Sequence, residues 1–403
     1  MAQRRSLLLI HHRDVRSPFS ATVPHYISTK LAAAHTVHVI CSADEDHDAG
    51  DSGNTSVVYH PLRTGNTRLI STIAFFIIAT LYAAVLGARH RFDATYGFQR
   101  TLVQAWVGAI AGDSRFVAGL QVVPVRQKRD FVTSRQADMS PAERLSVMIW
   151  AGYAAAVKVV LQRCDQITCL TEGIRKVTEQ EYGLDLSSAV VIGMGVDTET
   201  FEPADGRQTS DSFSRPLTVT YVGSLGAARG LPHVIEALAE CSVAFEFHIA
   251  GDGQSGYIDA MQAKAAQLGV ADQIVWYGRV PHSDVPELLT RTDVAISPLE
   301  DIESYRISFP AKLLEYMAAS TVVMATDIPP HQRLITDGNN GILYDGTETG
   351  LCSAIERCLN DPAVASQIET TARETAEAHD WDTVVNKHAA VLFPTATPSQ
   401  AIV

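Results

Sequence analysis

The spacing of apolar residues divides the chain into two runs of alternating strands and helices. Ser6–Ile10 predicts a buried strand, a helical stretch follows around His25–Ala34, and Thr36–Cys41 predicts a second strand. A strand–helix–strand opening leads naturally to a parallel sheet. Further strands are predicted at Ala94–Tyr96, Leu120–Val125, Gln166–Leu170 and Ala189–Ile192, with helices at Pro141–Gln162 and Glu172–Tyr182. The turn-rich stretch Glu202–Pro216, with Pro203 and Gly206, interrupts the pattern and predicts a boundary after residue 205. The alternation then restarts. Strands are predicted at Leu217–Val222, Phe245–Ala250, Gln273–Tyr277, Val294–Ser297 and Val322–Ala325. Helices are predicted at Leu231–Glu240, Tyr257–Leu268, Val285–Thr290 and Ala311–Ala319. Two successive doubly wound units have crevices at the carboxyl ends of their strands, where ligands bind. No short-period repeat is visible.

One stretch breaks the pattern. Residues 69–88 are uncharged and lie between Arg63, Arg68, Arg89 and Arg91. Their length matches a membrane span. A span would put the first two strands on the opposite side of the membrane from the rest of their own sheet, and Ser71, Thr72, Thr80 and Tyr82 dilute the apolar character. Two readings stay open: a buried helix of the first domain, or a helix lying in the membrane interface with its arginines at the headgroups.

At 403 residues, two domains are expected. With 46% hydrophobic and 19% charged residues the chain is a globular protein, not a disordered one. The net charge of −13 argues against nucleic acid as a partner. That charge sits in the second half: residues 1–205 hold 20 basic and 20 acidic residues, and residues 206–403 hold 12 and 25. Five of the first-half acids form one run, Asp44, Glu45, Asp46, Asp48 and Asp51, so the remainder of that half is basic. None of the six cysteines forms a CxxC pair, and only four consecutive apolar residues follow the basic amino terminus. Reduced cysteines in a cytoplasmic protein without a secretory signal are expected.

Three motifs carry chemistry. In TVTYVGSLGAARGLPHVIEAL (218–238) a strand meets a glycine-rich turn and a helix. Gly223, Gly226 and Gly230 let backbone approach a ligand, the helix start offers N–H groups, and Arg229 offers a cation suited to two phosphate oxygens. A plain strand-to-helix turn has the same outline. The sequence GDGQSG (251–256) matches a dinucleotide fingerprint, but it follows the second strand of its unit, and Asp272 precedes the next strand instead of ending it. NAD is therefore excluded. Gly251 and Gly253 suit a loop over a ligand, and Asp252 suits either that loop or a helix cap. In residues 294–346 a buried strand, a polar loop and a helix starting near Pro310 place Glu315 beside an apolar face of Leu313, Leu314, Met317 and Ala318. A carboxylate there is suited to two adjacent ribose hydroxyls, and Lys312 with the helix start to a diphosphate.

Together these motifs resemble glycosyltransferase family 4. The resemblance rests on YVGSL…RG, IAGDG, VWYGRV, DVAISP, PAKLLEYMAAS and LITDGNNGILY, with TCLTEGIRK at 168–176 and GMGVDTETFEP at 193–203. It covers residues 160–385 well and residues 1–159 loosely. It implies an α/β fold of GT-B type, two Rossmann-like doubly wound domains facing each other across a cleft. It implies an acceptor domain at 1–205, a donor domain at 206–380, and a last helix near Trp381–Leu392 that crosses back, with the tail, over 381–403. It further implies retaining hexosyl transfer from a nucleoside-diphosphate sugar without a metal or other cofactor. The only Asp-x-Asp matches near a strand end lie within Asp44–Asp48, in the domain that does not hold the donor, so the leaving diphosphate is left to cations and helix dipoles. By the resemblance, Arg229 takes the family's phosphate-binding lysine position, Glu315 binds ribose, Val280 lies where backbone meets the base, and Leu313 and Ser308 lie against the donor. Two positions depart from the pattern: Ser224 stands where an arginine is frequent, and Ile307, beside Ser308, stands where the family carries a first glutamate.

The first domain is expected to hold the acceptor. His11, His12 and Arg13 follow its first strand, and His12 or Asp130 is the candidate base. Arg126, Lys128, Arg129 and Arg135 form a basic cluster. With residues 69–88, it points to a glycan or polyprenyl-linked anionic acceptor and to peripheral contact with the inner face of the cell membrane. A solvated basic loop is the other reading. Two other functions fit the same plan, a nucleotide-sugar epimerase and a non-catalytic nucleotide-binding relative.

Overall fold

The computed structural model describes residues 4–16, 22–43, 57–64, 68–123, 141–203 and 216–394. The acidic run at 44–51, Arg126, Lys128, Arg129, Asp130 and Arg135 lie outside the described residues. The chain divides into two compact units, residues 1–193 with 384–403, and residues 194–383.

The first unit contains a parallel sheet in the order β3-β2-β1-β4-β5-β6-β7. Its strands are β1 (Ser6–Ile10), β2 (Thr36–Ser42), β3 (Val57–Leu62), β4 (Ala94–Phe98), β5 (Arg115–Leu120), β6 (Gln166–Cys169) and β7 (Val190–Val191). Its helices are α1 (Val23–Leu31), α2 (Arg68–His90), α3 (Leu102–Gly112), α4 (Pro141–Leu161) and α5 (Glu172–Tyr182). β1 is apolar and fully buried beyond its first residue, as a central parallel strand must be. The strand expected at Leu120–Val125 is instead β5, five residues earlier. It starts on a charged residue, because the Arg115 guanidinium donates to the Val391 carbonyl at 3.1 Å. The edge strand β3 carries Pro61 and is only partly buried beyond Val57, so it gave no apolar run.

α2 and α3 pack with their backbones close together. A Cβ on Gly87 would run into the Gly108 carbonyl, and one on Gly112 would meet Gly87. This contact fixes one face of α2, and Phe75, Ala79, Ala83 and Leu86 are buried there. The other face is solvent-exposed: α2 is neither a core helix nor free of the domain.

The second unit repeats the plan in the order β10-β9-β8-β11-β12-β13, again parallel. Its strands are β8 (Leu217–Val222), β9 (Phe245–Ala250), β10 (Ile274–Gly278), β11 (Val294–Ser297), β12 (Val322–Thr326) and β13 (Ile342–Tyr344). Its helices are α6 (Leu231–Glu240), α7 (Ser255–Gln267), α8 (Val285–Leu289), α9 (Glu303–Arg306), α10 (Ala311–Ala318), α11 (Pro329–Gln332), α12 (Glu348–Asn360) and α13 (Pro362–Ala378). This unit begins at Met194 and not after residue 205. The reason lies in its core: Val196 and Phe201 pack with Tyr316 and Met317. The Arg373 guanidinium also ties down the carbonyls of Thr198 and Phe201.

The last helix, α14 (Trp381–Leu392), starts in the second unit and from Val384 belongs to the first. Its His388 Nδ1 lies 3.1 Å from the Tyr96 hydroxyl, which also contacts Thr168 Oγ1 at 2.6 Å. Burial of His388 pushes its pKa down to about 3, so the ring is neutral in this network.

The six cysteines are not all reduced. Cys241, at the end of α6, and Cys352, in α12, form a disulfide with Cα atoms 5.6 Å apart. They are 111 residues apart in sequence and meet only because α6 and α12 pack together, which spacing alone could not reveal. Cys41, Cys164, Cys169 and Cys358 form no disulfide among the described residues.

Candidate functional site

β8 and β11 are neighbours in the second sheet although their connections run outward in opposite directions, so their carboxyl ends open a crevice. The turn after β8 enters it. Gly223 adopts φ +147° and Gly230 φ +70°, both in the region where glycine is favoured. Three close backbone approaches hold this turn. A Cβ on Gly251 would overlap the Gly223 carbonyl, one on Gly253 would press on the Leu225 carbonyl, and one on Gly230 would overlap the Pro298 carbonyl. Gly251 and Gly253 therefore let the β9 turn lie directly beside the β8 turn. Leu225 N–H donates to the Asp252 carbonyl at 2.8 Å, completing that contact. The Asp252 side chain accepts from the adjacent Gly253 N–H at 2.8 Å and caps no helix. Ser224 is exposed, and its carbonyl accepts from the Tyr221 hydroxyl at 2.9 Å.

Two cations stand at this turn. Lys312, from the first turn of α10, places Nζ 4.9 Å from the Tyr221 ring centroid and directly beneath Gly223, where any Cβ would collide with it. Arg229 lies 5.1 Å over the Tyr305 ring. Among the described residues neither cation forms a salt bridge; each rests on an aromatic face. Burial, and secondarily the neighbouring Arg229 charge, push the Lys312 pKa down to about 7, with Glu315 opposing the shift. Burial and Arg229 outweigh Glu315 here, and a diphosphate at this turn would favour the charged lysine.

Glu315 projects from α10 beside Lys312. It accepts a hydrogen bond from His282 Nε2 at 2.9 Å. Burial lowers the His282 pKa, but the hydrogen bond and charge of Glu315, helped by Asp197, outweigh it and raise the value above 6.5. The His282 ring also packs 5.4 Å from Phe201. Sequence reading did not find His282. Its position in VPHSD, just after β10 and Gly278, is a signal only once α10 is known to lie beside that turn. The same holds for Tyr316, whose hydroxyl accepts from Val222 N–H at 2.9 Å and pins the end of β8 to α10.

The remaining donor-side candidates fall in three places. Val280 is half-buried and packs against the core below α10. Ser308 Oγ donates to the Tyr305 carbonyl at 2.8 Å, and the loop around it is held by Arg333, which donates to the Ser308 and Arg306 carbonyls. Leu313 offers no ligand surface: its side chain is fully buried, and its N–H donates to the Pro310 carbonyl at 3.0 Å. The structure thus brings Gly223, Arg229, Gly230, Gly251, Lys312 and Glu315 around one crevice and leaves Leu313 in the core.

In the first unit, His11 and His12 follow β1 as expected. Burial is the main cause that pushes the His11 pKa down to about 4. His12 falls to about 3, again mainly by burial, with His11, Arg100 and Arg13 adding positive surroundings. His12 Nδ1 is buried without a hydrogen-bond partner among the described residues. A neutral ring of that pKa is a weak base in the free protein. The other candidate, Asp130, lies outside the described residues.

Residues 205–375 match the family model described as glycosyl transferases group 1. The 2-deoxystreptamine glucosyltransferase of Streptomyces kanamyceticus is 27% identical over 52% of this chain and 55% of its own length. The D-inositol 3-phosphate glycosyltransferase of Acidothermus cellulolyticus is 29% identical over 51% of this chain and 47% of its own. The chain therefore spans about half the length of the curated relatives it matches. Solved structures align over almost the whole chain. HepE of Anabaena, solved with UDP and glucose, covers 96% of this chain and 99% of its own at TM-score 0.68 and 16% identity. Sucrose-phosphate synthase from Thermosynechococcus elongatus covers 96% and 98% at TM-score 0.71 and 16% identity. The chain has the fold of the GT-B glycosyltransferases, and its residues 205–375 match the model of glycosyl transferases group 1.

Proposed function

We propose that the protein is a retaining, metal-independent glycosyltransferase of family 4 that moves a hexosyl group from a nucleoside-diphosphate sugar to an acceptor. The observation that carries this reading is the pair Arg229 and Lys312. Neither has a carboxylate partner among the described residues, and both stand at a glycine turn whose backbone approaches without side chains. Loss of the diphosphate leaving group builds negative charge, and two fixed cations with the α6 amino terminus stabilise it without a metal. Glu315, held by His282, is the group assigned to the ribose hydroxyls in this reading. Ser224 removes a frequent arginine, which leaves the diphosphate to Arg229 and Lys312, and Ile307 removes a carboxylate from the sugar contacts. HepE was solved with UDP-glucose, which supports a nucleotide-sugar donor. The relatives are transferases, so an epimerase is not favoured.

The acceptor belongs to the first unit, with His12 or Asp130 assisting its hydroxyl. We read the acceptor as a glycan or polyprenyl-linked glycan at the cytoplasmic face of the membrane, reached by a peripherally bound enzyme. The test is release of nucleoside diphosphate from a panel of nucleotide sugars in excess EDTA, with and without polyprenyl-phosphate-linked acceptors. The anomeric configuration of the product is read by NMR. Acceptor-dependent release with retention in EDTA is expected. Release that requires a divalent ion, or an inverted product, would overturn the mechanism. Epimerised donor without any acceptor would overturn the function.

A further inference from the structure

α2 has two faces that do different work. Phe75, Ala79, Ala83 and Leu86 are buried against the domain. Ile73, Ile77, Leu81 and Val85 recur every four residues and stand 39, 58, 66 and 59% exposed, with Ile78 beside them. Only 28% of the most apolar 18-residue window of this helix is buried, far too little for a core helix. The polar groups of the helix do not dilute the outer face. Thr80 Oγ1 donates to the Phe76 carbonyl at 2.6 Å, and the Tyr82 hydroxyl lies 3.2 Å from His60 Nδ1, whose ring reaches His38 at 3.0 Å. An apolar stripe about 18 Å long therefore faces outward.

Charge decides what covers it. The chain carries −13, yet no Asp or Glu occurs between Asp51 and Asp93, while Arg63, Arg68, Arg89 and Arg91 do. Arg63 is exposed just before α2, and Arg89, His90 and Arg91 are exposed at its end. A second copy docking by this face would bring arginines against arginines with no carboxylate of the segment to compensate. A transmembrane course would tear α2 from α3 and from the sheet it joins, since β3 and β4 on either side belong to one sheet. We propose that α2 lies in the plane of an anionic lipid surface, with Ile77, Leu81 and Val85 below the headgroups and Arg63, Arg89 and Arg91 among them. This surface is independent of the donor chemistry.

The test uses the full-length protein and vesicle flotation. Vesicles are phosphatidylcholine alone or an equimolar mixture with phosphatidylglycerol. Wild type should float with the mixed vesicles and be released by salt. I77E/L81E should lose binding by about tenfold or more, since each leucine-sized side chain contributes at least that factor when buried. R89E/R91E should lose about tenfold on the mixed vesicles and no longer distinguish them from neutral ones. L81W, a mild change, should show a blue-shifted tryptophan emission on mixed vesicles, quenched by lipids brominated near the headgroup. The proposal is overturned if folded I77E/L81E floats like wild type, or if L81W floats without a spectral shift. It is overturned equally if wild type does not float and sediments as a dimer that I77E/L81E dissociates. Should I77E/L81E fail to fold, the L81W emission decides.

Discussion

Lys312 sits where a cation is most costly, half-buried beside Arg229, and its pKa near 7 is the mark of that cost. A bound diphosphate reverses the balance by favouring the ammonium form, so its binding is linked to proton uptake above neutral pH. Donor affinity should therefore fall as pH rises through about 7, approaching tenfold per pH unit. In Lys312→Ala the slope should vanish and the overall affinity drop; calorimetry across pH measures both. Glu315→Ala should lower kcat/KM about 10- to 100-fold through loss of charge-assisted hydrogen bonds to the donor, with an unchanged circular dichroism spectrum. The His282–Glu315 pair has the opposite pH sense to a depressed carboxylate. Because the folded pKa of His282 lies above 6.5, its contribution to stability is full below 6.5 and is lost as pH rises through the higher value. The melting temperature difference between wild type and His282→Ala should accordingly be largest in mild acid and shrink above neutrality. At this scale the sequence was informative where the helical period set a charge beside an apolar face, as with Glu315. It was silent about His282, Tyr221 and Tyr305, whose roles arise only from their neighbours.

Among elements, β8, its turn and α6 were legible to the residue: Leu217–Val222 and Leu231–Glu240 are the observed bounds. The cause is local consistency, since an apolar run, glycines with positive φ and a proline in the first helical turn agree with one another. What pattern could not show is that the glycines serve contacts between turns. Gly251→Ala would force its methyl into the Gly223 carbonyl, and a cost of about 1–3 kcal/mol or more is expected, measured by chemical denaturation alongside donor affinity. Both should suffer, whereas Gly256→Ala, which meets nothing within 4 Å, should be silent. β5 and β3 were misread or missed for identifiable reasons: a strand opening on an arginine, and an edge strand carrying proline. α2 buries one face and exposes the other, a division that length and apolarity alone do not reveal.

For the whole molecule, two doubly wound parallel units followed directly from the repeated strand–helix alternation, and their boundary moved because Val196 and Phe201 are core residues of the second unit. The Cys241–Cys352 disulfide was beyond sequence reading. It closes a long segment of the second unit, and its reduction should cost about 2–4 kcal/mol of that unit's stability. Reductant should lower the melting temperature of wild type to that of Cys241→Ser/Cys352→Ser and leave the double variant unchanged. The crevice formed by Gly223, Arg229, Lys312 and Glu315 is read as a nucleoside-diphosphate site. Calorimetric titration of uridine, thymidine, guanosine and adenosine diphosphates into the full-length protein in EDTA tests it most directly. Saturable binding of at least one of them is expected, abolished or severely weakened by Lys312→Ala and Glu315→Ala. Absence of heat for all four, with or without divalent ions, would contradict that reading.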